Sequence, residues 1–171
     1  MRMLLVPIFI IAFLQKYFFV TTIIFCLAAI TDILDGFLAR RLKKITTLGA
    51  CLDPIADKIL VSSSFILLTI YGYLPSCLTV IVIFRDAFIL LGGLLFFLFD
   101  IPFKICPSFL GKLTTAVQVI TTLIVLIHIQ KSFPPSLLLF FYTLTFFLTI
   151  VSGLQYAYIG YKNIVQYTPS K

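Results

Sequence analysis

The 171-residue chain has six acidic residues, all aspartates: Asp32, Asp35, Asp53, Asp57, Asp86 and Asp100. Four of them fall within the 26 residues from Asp32 to Asp57. Carboxylates at this density repel one another unless something cationic neutralises them. Arg40, Arg41 and Lys58 stand beside the cluster and can supply part of that charge. One or two divalent cations supply it better, and an all-carboxylate oxygen site with open positions suits Mg2+ or Mn2+. At about 100° per residue, Asp32, Asp35, Gly36 and Ala39 share one narrow helical face. Gly49, Asp53 and Asp57 follow at intervals of four. Small residues on an acidic face let a ligand come close to the backbone. Three readings fit these residues: a salt-bridge network joining two helices, an ion pathway, and a catalytic metal site.

The elements that must position these residues are set by composition. The chain is 61% hydrophobic and 11% charged, with a mean hydropathy of +1.18. Soluble domains run at about 45–50% apolar and about 25% charged, so an ordinary soluble domain is excluded. Disorder, collagen and coiled coil are excluded with it. What remains is an all-α integral membrane protein, a single membrane domain over 1–171 with no room for a separate extramembrane domain.

Charges, Gly and Pro divide the chain into six transmembrane segments: Met3 to Leu14, Tyr17 to Leu38, Pro54 to Leu74, Cys77 to Phe99, Leu113 to Ile129 and Leu137 to Tyr161. The first is short and crosses only by tilting or by taking in residues up to Phe19. It reads as a retained span rather than a signal peptide, because more apolar sequence follows Lys16 at once. Pro54 suits a first helical position with Asp53 at the cap, or kinks a helix that starts earlier. Tyr71 to Ser76, Asp100 to Gly111 and Gln130 to Ser136 carry the Pro and polar residues of loops.

The net charge of +7 is a matter of orientation, not of nucleic acid. With both termini cytoplasmic, ten Lys and Arg lie inside, two (Lys16 and Lys131) lie outside, and Arg85 lies within a span. That is a strong positive-inside bias. Cys26, Cys51, Cys77 and Cys106 are widely spaced and read as small apolar residues. His128 is the sole histidine, so a His-based zinc site or a Ser-His-Asp triad has little support.

Written out, the acidic run is Asp32-x-x-Asp35-Gly36-x-x-Ala39-Arg40, eight residues, Gly49, three residues, Asp53, three residues, Asp57. It resembles the signature D-x-x-D-G-x-x-A-R-x8-G-x3-D-x3-D of the CDP-alcohol phosphatidyltransferase family at every defined position. A weaker resemblance runs from Arg2 to Lys162. Cys26 to Leu60, Phe84-Arg85-Asp86 and Ser108 to Gln118 look most like the phosphatidylglycerophosphate synthase and CMP-forming cardiolipin synthase branches.

The resemblance implies a phospholipid-biosynthetic transferase. It would move a phosphatidyl group from CDP-diacylglycerol to a glycerol-type hydroxyl acceptor, phosphatidylglycerol or glycerol 3-phosphate, and release CMP. It implies that Asp32, Asp35, Asp53 and Asp57 hold one or two Mg2+ or Mn2+ ions, with Asp57 as the base on the acceptor hydroxyl. It places Asp32, Gly36, Ala39, Arg40 and Gly49 against the CDP-lipid. It also implies a homodimer. The compact size and the lack of an evident transit peptide suggest a bacterial inner membrane, and the charge-based orientation puts the acidic run, and with it the active site, at its cytoplasmic face.

For an anionic acceptor the candidates are Arg85, a cation well inside the fourth span, and Lys112. Asp86 offers Arg85 an alternative role as a local ion pair. Lys112, Thr115, Gln118 and Thr122 form one polar stripe, and Thr145, Thr149, Ser152 and Tyr156 form another. Such stripes bind helix to helix as often as they bind ligands.

Two departures from the family pattern stand out. The interfacial N-I-P-N-x-L-T-x-x-R segment is met only near its end, at Arg2, with Pro7 in a matching place, so the start reads as truncated or misassigned. Gly111-Lys112-Leu113-Thr114-Thr115 lacks the second lysine of the G-K-x-K-T run found in the phosphatidylglycerophosphate synthase branch. Two other readings remain: a cation transporter or channel using the aspartate cluster, and an inactive scaffold.

Overall fold

The computed structural model describes the backbone of residues 2–42, 47–98 and 109–167, and the side chains of residues 5–31, 58–96, 98 and 109–163. Six helices account for nearly all of this: α1 Arg2–Leu14, α2 Phe18–Leu42, α3 Thr47–Ile70, α4 Ser76–Leu98, α5 Phe109–Gln130 and α6 Pro135–Tyr167. There is no strand among the described residues.

Several boundaries differ from the sequence reading. Helix α1 stops at Leu14 and does not run on to Phe19. The chain turns at Lys16, whose φ of 61° lies in the left-handed region. At about 1.5 Å per residue, its 13 residues cover roughly 20 Å, less than the roughly 30 Å of hydrocarbon. Pro7 lies inside α1. Helix α3 begins at Thr47, so Pro54 sits within a helix that starts earlier rather than at its first turn. It ends at Ile70, before Leu74, because Gly72 takes a φ of 78° that closes the turn to α4. Helix α5 begins at Phe109, which moves Gly111 from the expected loop into the first turn.

The turns α1–α2, α3–α4 and α5–α6 gather at one end of the bundle, since successive helices alternate in direction. Gln130, at the end of α5, bonds the Thr22 hydroxyl at 2.8 Å and the Phe18 carbonyl at 3.3 Å on the first turns of α2. Tyr142 on α6 donates to the Tyr73 carbonyl at 2.8 Å. Phe13 packs edge-on against Phe18 and Tyr71, with centroids 5.6 and 5.3 Å away. Buried Phe9, Phe25, Phe65 and Leu68 extend this apolar core along α1, α2 and α3. The opposite end carries the last turns of α2 and the first turns of α3, and with them the backbone of the acidic run.

Packing closes the six helices into a ring in the order α1, α2, α5, α6, α4, α3, with α3 also touching α5 across the middle. Helices α4, α5 and α6 contain segments long and apolar enough to cross a membrane: Ser76–Phe96, Phe109–Gln130 and Pro135–Asn163. Leu5–Leu14, Phe18–Thr31 and Lys58–Ile70 are shorter apolar stretches of the other three. Large apolar side chains such as Phe84, Leu91 and Leu98 on α4 and Phe147 and Leu154 on α6 face outward, as a lipid-solvated surface requires.

Candidate active site

Asp32, Asp35, Gly36, Ala39 and Arg40 lie on the second half of α2, and Gly49, Asp53 and Asp57 on the first half of α3. Their side chains lie outside the described residues. The neighbouring turns of both helices border one cavity. A cavity of about 50 Å³ is lined by Phe25, Ala28 and Ala29 of α2, Leu60 and Val61 of α3, and Thr115 and Val119 of α5. Ala28 stands one turn before Asp32, and Leu60 and Val61 stand one turn after Asp57. Both helices line this cavity, with the aspartates of α2 a turn or more beyond Ala28 and those of α3 a turn or more before Leu60. Among the described residues α2 and α3 do not pack directly on each other. Four carboxylates are hard oxygen donors, and that donor set fits Mg2+ or Mn2+.

A second charged cluster sits beside the first. Lys58 follows Asp57 directly, and its ammonium Nζ lies 2.7 Å from Asp86 Oδ1 on α4. The same oxygen accepts from Arg85 Nη1 at 2.7 Å. Arg85 Nη2 donates to Ser152 Oγ on α6, also at 2.7 Å, and the guanidinium lies over the Tyr156 ring, 5.6 Å from its centroid. Asp86 and Arg85 are 4% and 5% exposed, whereas the Lys58 side chain is 23% exposed. Asp86 Oδ2 and Arg85 Nε are buried without a hydrogen-bond partner among the described residues. Three helices, α3, α4 and α6, are thus joined by one ionic cluster in a region with little water.

Arg85 therefore combines the local pairing with Asp86 that its neighbour suggested and a bond to α6 that the sequence did not indicate. Lys58 was grouped with the motif aspartates in the sequence reading, and its described partner is Asp86. The signal for that contact was only the isolation of Asp86 inside an apolar segment, where a carboxylate needs a cation. Lys112 is exposed on the first turn of α5. Among the described residues α4 and α5 do not pack on each other, so Arg85 and Lys112 are not brought together.

The two polar stripes meet at one pair, Gln118 and Thr149, and Thr114 and Thr121 beside the α5 stripe extend the contact. Thr121 and Thr145 share a hydrogen bond at 2.7 Å, Gln118 Nε2 donates to Thr149 at 3.4 Å, and Thr114 reaches the Leu148 carbonyl at 3.2 Å. All five of these polar side chains are fully buried. This ladder binds α5 to α6, the helix-to-helix role open to such stripes. Thr114 and Thr121 belong to it although neither stood out in the sequence.

Comparison with known proteins gives the family. The family model described as CDP-alcohol phosphatidyltransferase matches residues 1–154. The chain is 35% identical to a CDP-diacylglycerol–glycerol-3-phosphate 3-phosphatidyltransferase of Wigglesworthia glossinidia brevipalpis, over 95% of this chain and 92% of that one. A Bacillus subtilis protein of the same name is 34% identical over 78% of this chain and 69% of its own length. A rat cardiolipin synthase (CMP-forming) is 32% identical over 88% of this chain and 56% of its own. The chain belongs to the CDP-alcohol phosphatidyltransferase family.

Proposed function

We propose that this protein transfers the phosphatidyl group of CDP-diacylglycerol to a primary hydroxyl of glycerol 3-phosphate and releases CMP. The observation that carries the reading is the complete eight-position acidic signature, borne by two helices that line one cavity, in a chain matched by the family over residues 1–154.

Asp32, Asp35, Asp53 and Asp57 would hold one or two Mg2+ or Mn2+ ions. When bound, these ions supply charge neutralisation for the pyrophosphate of the CDP-lipid. Gly36, Ala39 and Gly49 leave room for the nucleotide and for close helix approach, and Arg40 meets its phosphate. Asp57 accepts the proton of the acceptor hydroxyl as its oxygen attacks the β-phosphorus, the one joined to diacylglycerol. The bond from that phosphorus to the bridging oxygen breaks, and CMP leaves with the oxygen. Positioning and charge carry this chemistry, because phosphoryl transfer asks little covalent work of a protein. Arg85 and Lys112 are the candidate contacts for an anionic acceptor.

The chain acts as one membrane domain over 1–171, with six spans and both termini in the cytoplasm. The ten-to-two Lys and Arg asymmetry supports this. The motif then opens at the cytoplasmic face of a bacterial inner membrane, where a water-soluble nucleotide head can be reached while acyl chains stay in the bilayer. A homodimer is the proposed assembly.

A second acceptor, phosphatidylglycerol, is favoured by one observation: Gly111-Lys112-Leu113-Thr114-Thr115 has a single lysine. Against it stands the near full-length match to the glycerol-3-phosphate relative. Detergent-purified protein with CDP-diacylglycerol and Mg2+ should yield phosphatidylglycerophosphate with glycerol 3-phosphate, and no cardiolipin with phosphatidylglycerol. Cardiolipin alone would move the protein to the other branch, and no CMP release with either acceptor would overturn the reading.

A further inference from the structure

Arg85 is a candidate acceptor contact, but Lys58 and Asp86 have no part in the proposed reaction as so far described, and the cluster they form with Arg85 is an expensive thing to build. Arg85 and Asp86 are withdrawn from water almost completely, and Lys58 in large part. Buried ion pairs of this kind are often no more stabilising than well-packed apolar side chains, so stability alone is a weak reason for one.

Its placement suggests another reason. Lys58 is the residue after Asp57, and adjacent Cα atoms are only about 3.8 Å apart. A lysine stem is long and flexible, and its ammonium is a compact charge that pairs with any carboxylate it can reach. A free ammonium on this turn would compete with a divalent cation for the aspartates of the motif. Here it is drawn away to α4, onto Asp86 Oδ1 at 2.7 Å. Asp86 is itself fixed from behind: Arg85 bonds the same oxygen, and Ser152 and Tyr156 on α6 hold Arg85.

We propose that Asp86 is a positioning residue for the metal site: it holds the Lys58 ammonium on α4 and so keeps it from competing with the divalent cation for the carboxylates on the neighbouring turn. The proposal rests on the metal-binding role of Asp32, Asp35, Asp53 and Asp57.

Direct Mn2+ binding to the detergent-purified full chain tests it, read by the loss of the free Mn2+ electron paramagnetic resonance signal. Asp86→Asn keeps the shape of the side chain and releases Lys58. Its Mn2+ affinity should fall about tenfold, the scale expected for one added positive charge beside a partly solvated site. Lys58→Met should bind Mn2+ at least as tightly as the unaltered protein. The double variant Lys58→Met with Asp86→Asn should recover affinity to within about twofold of it, since no ammonium is left to compete.

A merely structural role predicts otherwise: Asp86→Asn would lower the unfolding temperature with Mn2+ affinity unchanged, or the double variant would bind as weakly as the single one. Either result overturns the proposal while leaving the metal site standing. If the unaltered protein binds no Mn2+ that Asp35→Asn abolishes, the metal-site reading fails and takes this one with it.

Discussion

Arg85 is the residue whose environment is most fully determined. Its guanidinium is shared between Asp86, Ser152 and the face of Tyr156, and the side chain is 5% exposed. Removing one partner of a buried charge pair costs about 3–5 kcal/mol, far more than the pair itself contributes. Arg85→Met should therefore sharply lower the thermal unfolding midpoint in detergent. Ser152→Ala, which removes one hydrogen bond to a charged donor, should cost about 1.5–3 kcal/mol. An equal, small effect for both would mean that the cluster is wetter than its geometry indicates. The motif aspartates should behave in the opposite way. Without divalent cation they repel one another, so Asp57→Asn should raise the unfolding midpoint in chelator while it removes activity. A fall in chelator would argue that the four carboxylates do not share a site.

Helices α5 and α6 are joined by a ladder of hydroxyl and amide side chains. Membrane hydrogen bonds of this kind average about 0.6 kcal/mol each, so Thr121→Val should cost under about 1 kcal/mol. Gly153 faces the Arg85 stem, and an added Cβ would stand 3.6 Å from Arg85 Cγ, an ordinary contact. Gly153→Ala should then leave the midpoint nearly unchanged, whereas Gly153→Leu should push Arg85 off Ser152 and lower it. Denaturation scans of the three variants check this order.

Much at this scale was legible in the sequence, because apolar runs in a membrane chain have few alternatives to helix. Six helices stand where the six segments were read, with shifted ends at Lys16 and Gly72, which turn the chain through positive φ. Three of them, α4, α5 and α6, are long and apolar enough to cross a membrane. Arg85 with Asp86 was visible as neighbours. The bonds from Asp86 to Lys58 and from Arg85 to Ser152 span 28 and 67 residues. They depend on which helices become neighbours in the ring, which no local pattern specifies. The aspartate motif was the most legible feature, since its spacing, not its packing, carries it.

Taken whole, the molecule is a ring of six helices with an aromatic core at the end of the short turns and its charged chemistry toward the other. If that end faces the cytoplasm, cysteine at Ser132, in the α5–α6 turn, should react with an impermeant maleimide from outside intact cells. Cysteine at Lys162, near the far end of α6, should react only after permeabilisation. The reverse pattern would invert the topology. The central claim is that the acidic run is a divalent-metal phosphatidyltransfer site, and CMP release from CDP-diacylglycerol measures it most directly. With glycerol 3-phosphate and Mg2+, the purified protein should release CMP, release should stop in chelator, and Asp57→Asn should slow it by about 10²–10⁴-fold, the usual contribution of a general base. CMP release that survives both chelator and Asp57→Asn would contradict the account.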